Sequence, residues 1–128
     1  MPTININAED FEDTITKNDI VLVDFWADWC GPCKRFAPIY EKASQEYGDV
    51  TFAKLDTEEN QGLSAALNIE GIRTLMAFRE GVLVFNQAGA LPAPALKQVI
   101  DAVKGLNMEE VHAEVARLQA EHEHQHQH

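Results

Sequence analysis

Cys30 and Cys33 are the only cysteines in the 128-residue chain, and only Gly31 and Pro32 separate them. A pair at that spacing can clamp a metal, staple a loop or act as a reactive dithiol. The local string, VDFWADWCGPCKRF at residues 23–36, favours the third. An apolar run that reads as a buried strand precedes Cys30, and helical spacing follows it, so Cys30 falls where a strand hands over to the first turn of a helix. Free N–H groups and the positive end of the helix dipole face that position and favour thiolate, the form that attacks a disulfide. Cys33 falls in the first turn and is more shielded. Gly31 allows a close approach, and Pro32 sets the backbone at the helix start. One attacking and one resolving sulfur within reach meet the requirement for exchange through a mixed disulfide.

The other two chemistries are weaker. A structural zinc site usually takes four ligands. No second cysteine pair exists, and the five histidines, His112, His122, His124, His126 and His128, are remote in sequence. Trp29, Gly31 and Pro32 make a helix start unlike the setting of an inert buried pair.

Asp24 interrupts the apolar run VLVDFWA. A carboxyl buried in a core strand without a full partner gains proton affinity and can serve as an acid or base near neutral pH. Lys54, in FAKLD on a neighbouring strand, is the expected partner. The plainer alternative is an Asp on an exposed strand face paired structurally with Lys54; the flanking apolar residues leave few such faces.

The elements that must position these groups follow from periodicity. TINI reads as a short edge strand and AEDFEDTIT as a helix. DIVLVDFWA is nearly continuous in apolar residues, as a central strand covered on both faces would be. Phe36, Ile39, Tyr40, Ala43 and Tyr47 recur at helical spacing, with Pro38 set to kink that helix. VTFAKLD is a further core strand and NQGLSAALN a short helix. TLMAFREGVLVF is a hairpin turning at Glu80 and Gly81. Pro92 opens a helix that Gly105 stops. The order βαβαβαββα predicts an α/β fold: a central mixed sheet with helices on both faces. Residues 1–106 form this domain. Asn107 can cap a further helix over 107–121, with Met108, Val111, Val115 and Leu118 as its apolar stripe. The His-rich end, 122–128, is expected to be disordered.

These strings resemble thioredoxin. The resemblance lies in VLVDFWADWCGPCKRFAPIYEKAS, FAKLDTEEN, TLMAFREGV and AGAL, and covers roughly residues 3 to 104. It implies a protein-disulfide reductase in which Cys30 attacks, Cys33 resolves, and Asp24, helped by Lys54, handles the resolving proton. Trp29, Gly31, Pro32, Ile72, Arg73 and Gly89 would line the groove for disulfide-containing protein substrates. It further implies a thioredoxin reductase, an NADPH-dependent flavoprotein, as the partner that restores the dithiol, with no cofactor and no metal on this chain. One residue departs from the pattern: Arg73 stands where the family carries a cis-proline. A non-proline peptide bond strongly prefers trans, so the loop at Ile72–Arg73 is expected to move. Arg73 would then either bring its charge towards Cys30 or turn into solvent.

A formal net charge of −11 argues against nucleic acid or an anionic membrane surface as a partner. The opening MPTININAED has neither a basic start nor an apolar core, and no apolar run approaches a membrane span; a cytoplasmic protein is expected. Two rival readings remain. One is a thioredoxin-like binding module with weak exchange. The other is a metal-binding scaffold built on the cysteines or on the histidines of the tail.

Overall fold

The computed structural model describes residues 3–27, 31–69 and 73–126, with backbone only at 31–33 and 123–126. Its elements are β1 (Thr3–Asn5), α1 (Ala8–Lys17), β2 (Ile20–Trp26), α2 (Gly31–Glu46), β3 (Thr51–Asp56), α3 (Gln61–Ala66), β4 (Thr74–Arg79), β5 (Val82–Ala88), α4 (Ala93–Lys104) and α5 (Met108–His126). Five strands form one sheet in the order β1-β3-β2-β4-β5. β1, β3 and β2 run parallel, and β4 and β5 are antiparallel to their neighbours. This is the mixed sheet that the strand and helix order predicts.

β2 lies between β3 and β4, so both of its edges are paired; side chains of the helices cover its two faces, and its first six residues are buried. Strand side chains alternate between faces. Val21, Val23 and Phe25 join Ala53, Leu55, Met76, Phe78 and Phe11 in one core. Ile20 and Leu22 join Phe36, Tyr40, Phe52, Leu75, Ala77, Leu96 and Ile100 in the other. Asp24 has the parity of Ile20 and Leu22, which puts its carboxyl on the face packed by α2 and α4.

α2 is held on that face by more than apolar contact. The Tyr40 hydroxyl is 2.9 Å from the Leu22 carbonyl oxygen and 2.8 Å from that of Ala53, tying the helix to β2 and β3. The Tyr40 ring packs on Phe36 and Phe52, with centroids 5.5 and 5.2 Å away. Pro38 lies inside the same helix. The hairpin turns at Glu80 and Gly81, both with positive φ (51° and 80°), the two-residue turn whose twist suits antiparallel strands.

Arg79 closes the far end. Its Nη1 donates to the carbonyls of Val103 and Lys104, both at 2.8 Å, and of Leu106 at 3.1 Å, satisfying oxygens that the end of α4 leaves open. α5 begins with the Asn107 side chain accepting the Glu110 N–H at 3.2 Å. Met108 is buried, and His112 Nε2 meets Glu80 Oε1 at 3.0 Å. The helix passes the expected disordered boundary at 122 and continues to His126. Before that boundary, Arg117 pairs with Glu114 one turn earlier and with Glu121 one turn later, charge pairs that support a helix.

Candidate active site

Asp24 is fully buried. Its Cα partner on β3 is Lys54 and on β4 is Leu75. The Lys54 pairing expected from the sequence is replaced by another. Asp24 Oδ2 accepts a hydrogen bond from Arg73 Nη2, within a buried ion pair whose arginine is only 3% exposed. The guanidinium also lies over the Phe36 ring, 4.2 Å from its centroid. Parity explains the encounter. Leu75 faces the α2 side of the sheet, and Arg73, two residues earlier, is carried to the same side. Lys54 Nζ instead sits over the Trp26 ring, 5.8 Å from its centroid. Lys54 lines the same cavity as Asp24 but forms no ion pair with it.

The expectation of an Arg73 turned into solvent therefore fails: the side chain turns into the core. Cys30 lies outside the described residues, as do Trp29 and Ile72, and with them the Ile72–Arg73 bond and any approach of charge to the Cys30 sulfur. Gly31, Pro32 and Cys33 form the first three residues of α2. Gly89 comes to Arg73 by its backbone: its N–H donates to the Arg73 carbonyl at 2.7 Å. Its φ of 95° belongs to the region that favours glycine, while a side chain there would meet open space. The structure thus brings together Asp24, Arg73 and Gly89, with Lys54 beside them. Phe36, which supports the guanidinium, is a site residue that sequence reasoning missed. The signal was its place one turn beyond Cys33 on the apolar stripe of α2.

Among the described atoms, Asp24 Oδ1 and Trp26 Nε1 are buried with no hydrogen-bond partner. Both residues line a cavity of about 170 Å³, with Ala27, Lys34, Ala37, Lys54 and Arg73 completing its wall. Burial dominates the proton affinity of Asp24 and raises its pKa from 3.8 to about 6; the charge and hydrogen bond of Arg73 pull it down, and Lys54 adds a weaker pull in the same direction. Burial, with the Asp24 charge next, pushes the Tyr40 phenol well above its usual range.

A raised carboxyl pKa has a signed consequence for stability. The folded state binds this proton more tightly than the unfolded state, so stability falls as pH rises from about 4 through about 6. At about 1.4 kcal/mol per pKa unit, the change is about 3 kcal/mol. Other carboxylates titrate over the same range, so urea unfolding should be read as wild type minus Asp24→Asn. Between pH 4 and pH 7 that difference is expected to fall by about 2 kcal/mol, most of the full change. A constant difference would contradict the buried, proton-retaining Asp24.

A mixed sheet with helices on both faces, a dithiol spacing at the start of a helix and a buried carboxyl on the adjacent strand define the scaffold of a thiol–disulfide exchange protein. Comparison with known proteins gives the family. The family model described as Thioredoxin matches residues 2–102, and the chain belongs to the thioredoxin family. A Streptomyces coelicolor protein that carries the name thioredoxin 2 is 50% identical over 119 residues, covering 93% of this chain and 89% of that one. The thioredoxin of Haemophilus influenzae is 39% identical over 100 residues, 77% of this chain and 94% of its own. Among solved structures, a mutant thioredoxin from Halobacterium salinarum superposes with a TM-score of 0.76 at 35% identity, covering 82% of this chain and 93% of that one. Plasmodium falciparum thioredoxin gives 0.71 at 38%, covering 78% and 97%. Membership supports thiol–disulfide oxidoreductase chemistry. The Streptomyces match spans so much of the chain that it must extend into α5. Among the described residues, no helix is long and apolar enough to cross a membrane.

Proposed function

We propose that the protein reduces protein disulfides by dithiol–disulfide exchange. The Cys30 thiolate attacks one sulfur of the substrate disulfide, forming a mixed disulfide and releasing the other sulfur as a thiolate that takes up a proton. Cys33, deprotonated with the help of Asp24, attacks Cys30. The second substrate sulfur leaves as a thiol, and Cys30 and Cys33 become a disulfide. Two electrons pass to the substrate. A thioredoxin reductase, drawing on NADPH through its flavin, returns them to the protein. Trp29, Gly31, Pro32, Ile72 and Gly89 form the substrate groove, from which the Arg73 side chain, 3% exposed, is withdrawn.

The observation that carries this reading is Asp24. A carboxyl kept fully inside the core, with its pKa moved to about 6, is costly to stability and useful to a proton step near neutral pH. In sequence, its strand comes just before the segment that carries the cysteines. The same reading places the protein in the cytoplasm, takes residues 1–106 as the exchange domain, and treats α5 as an extension packed against the hairpin end of the sheet.

Dithiothreitol-driven reduction of insulin disulfides tests it, with this protein and Arg73→Pro side by side. The expected result is catalysed turnover by both. No turnover by either would defeat the assignment. Turnover by Arg73→Pro alone would mean that Arg73 has disabled exchange, and would favour a binding role for the protein as it stands.

A further inference from the structure

The ion pair at the heart of the site is not one that the dithiol motif requires. Asp24 is approached from three elements on its face of the sheet. From β3 comes Lys54; from α2 come Tyr40, and Lys34 at the cavity wall; from the residue before β4 comes Arg73. Among the described residues, only Arg73 touches a carboxylate oxygen. It is fixed on two sides, by Asp24 Oδ2 and by the Phe36 ring 4.2 Å away. Phe36 is itself 1% exposed and packs on Tyr40, which is anchored to β2 and β3. The guanidinium is therefore part of the packed core. A third tie comes through the Arg73 carbonyl, which accepts the Gly89 N–H at 2.7 Å.

The two oxygens of Asp24 are consequently unlike. Oδ2 is committed to the guanidinium. Oδ1 has no hydrogen-bond partner among the described residues, on a side chain that lines the cavity shared with Lys34 and Lys54. Lys34 is exposed and Lys54 half-buried, so the cavity wall reaches solvent.

We infer that Arg73 is a positioning residue for the proton acceptor: clamped between Phe36 and Asp24, it holds Oδ2 and leaves Oδ1 as the atom through which Asp24 gains and loses its proton. The inference rests on the proposed role of Asp24 in the resolving step. A fixed cation beside a buried carboxylate favours the charged, proton-accepting form against the desolvation that opposes it. Arg73 keeps Asp24 able to accept the Cys33 proton at a lower pH than burial alone would permit. No atom of Arg73 enters the exchange itself. The proton moves from the Cys33 sulfur to Asp24 as the Cys33–Cys30 bond forms and the bond from Cys30 to the substrate sulfur breaks, the substrate sulfur leaving with the electron pair.

The test follows Asp24 directly by carbon NMR of its labelled carboxyl across pH 4 to 10, in the wild type, Arg73→Met and Arg73→Lys. Insulin reduction is measured over the same range. Loss of an opposite charge in contact typically moves a carboxyl by about 1–3 pH units. The Arg73→Met titration is expected to rise by at least about one unit, a tenfold gain in proton affinity. The exchange rate profile should move the same way, and Arg73→Lys should restore part of the shift. Should Arg73→Met not fold, Arg73→Lys decides: it keeps the charge without the fork or the stacking, and an intermediate titration is expected. An unmoved Asp24 titration in the folded variants overturns the inference and leaves the exchange reading standing. A moved titration beside an unmoved rate profile also overturns it, because Asp24 would then be tuned without serving the reaction. A moved titration with no insulin reduction by any of the three proteins defeats the oxidoreductase reading instead.

Discussion

Cys30→Ser is expected to abolish reduction of insulin disulfides, a fall of at least about a thousandfold, because a hydroxyl near neutral pH supplies almost no anion to attack sulfur. Cys33→Ser is expected to fail differently. Cys30 can still attack, the mixed disulfide forms, and no second sulfur releases the substrate. The protein should therefore accumulate covalently joined to substrate, visible as a thiol-sensitive mass increase on a non-reducing gel. The two variants separate attack from resolution, which their shared inactivity would not. If Cys33→Ser formed no adduct while Cys30→Ser did, the roles would be reversed. If neither accumulated and both retained turnover, the dithiol would not be the reacting group. Placement in the chain favours the proposed order, since Cys30 lies just before α2 and Cys33 within its first turn.

Much of this architecture is legible in the order of the amino acids. β2 announces itself through a nearly continuous apolar run, and that run is long because β3 and β4 flank it and helices cover both faces. The hairpin is legible because Glu80 and Gly81 interrupt two apolar strands at one point. Asp24 is legible for the opposite reason: a charge in such a run has nowhere to go except the core.

Arg73 shows where that kind of reading stops. Treated as a loop residue, a long cation is expected to seek solvent or the nearest thiolate. Its direction is set instead by strand parity counted back from Leu75, together with a carboxylate and an aromatic face waiting on that side. Those come from β2 and α2, far from it in sequence. Lys54 departs from expectation for a related reason. Register places it beside Asp24, yet register positions a Cα and not the end of a four-carbon side chain. The length of α5 is hidden as well, since histidines alternating with glutamates and glutamines carry no apolar periodicity.

The buried pair predicts an asymmetry that ordinary truncation scanning would not. Asp24→Leu should lower stability at pH 7 by about 3–5 kcal/mol, because it leaves a guanidinium in the core with no counter-charge. A guanidinium does not shed its proton inside a protein, so that charge can be relieved only by rearrangement. Arg73→Met should be milder. The carboxyl it strands can take up a proton, and burial has already moved its pKa to about 6, so neutralisation near pH 7 is inexpensive. The double variant Asp24→Leu with Arg73→Met should match the wild type or exceed it by about 1–4 kcal/mol, since it removes both desolvation penalties and fills the space with carbon. Urea unfolding of the four proteins at pH 7 closes the cycle, and the double change should fall well short of the summed single losses. Equal losses from the two single variants would mean that Arg73 and Asp24 are not coupled as the structure places them. A double variant that is stable yet slow in insulin reduction would separate the two roles of the pair. In that outcome the core would not need the pair in order to fold, and its contribution would lie in the exchange step.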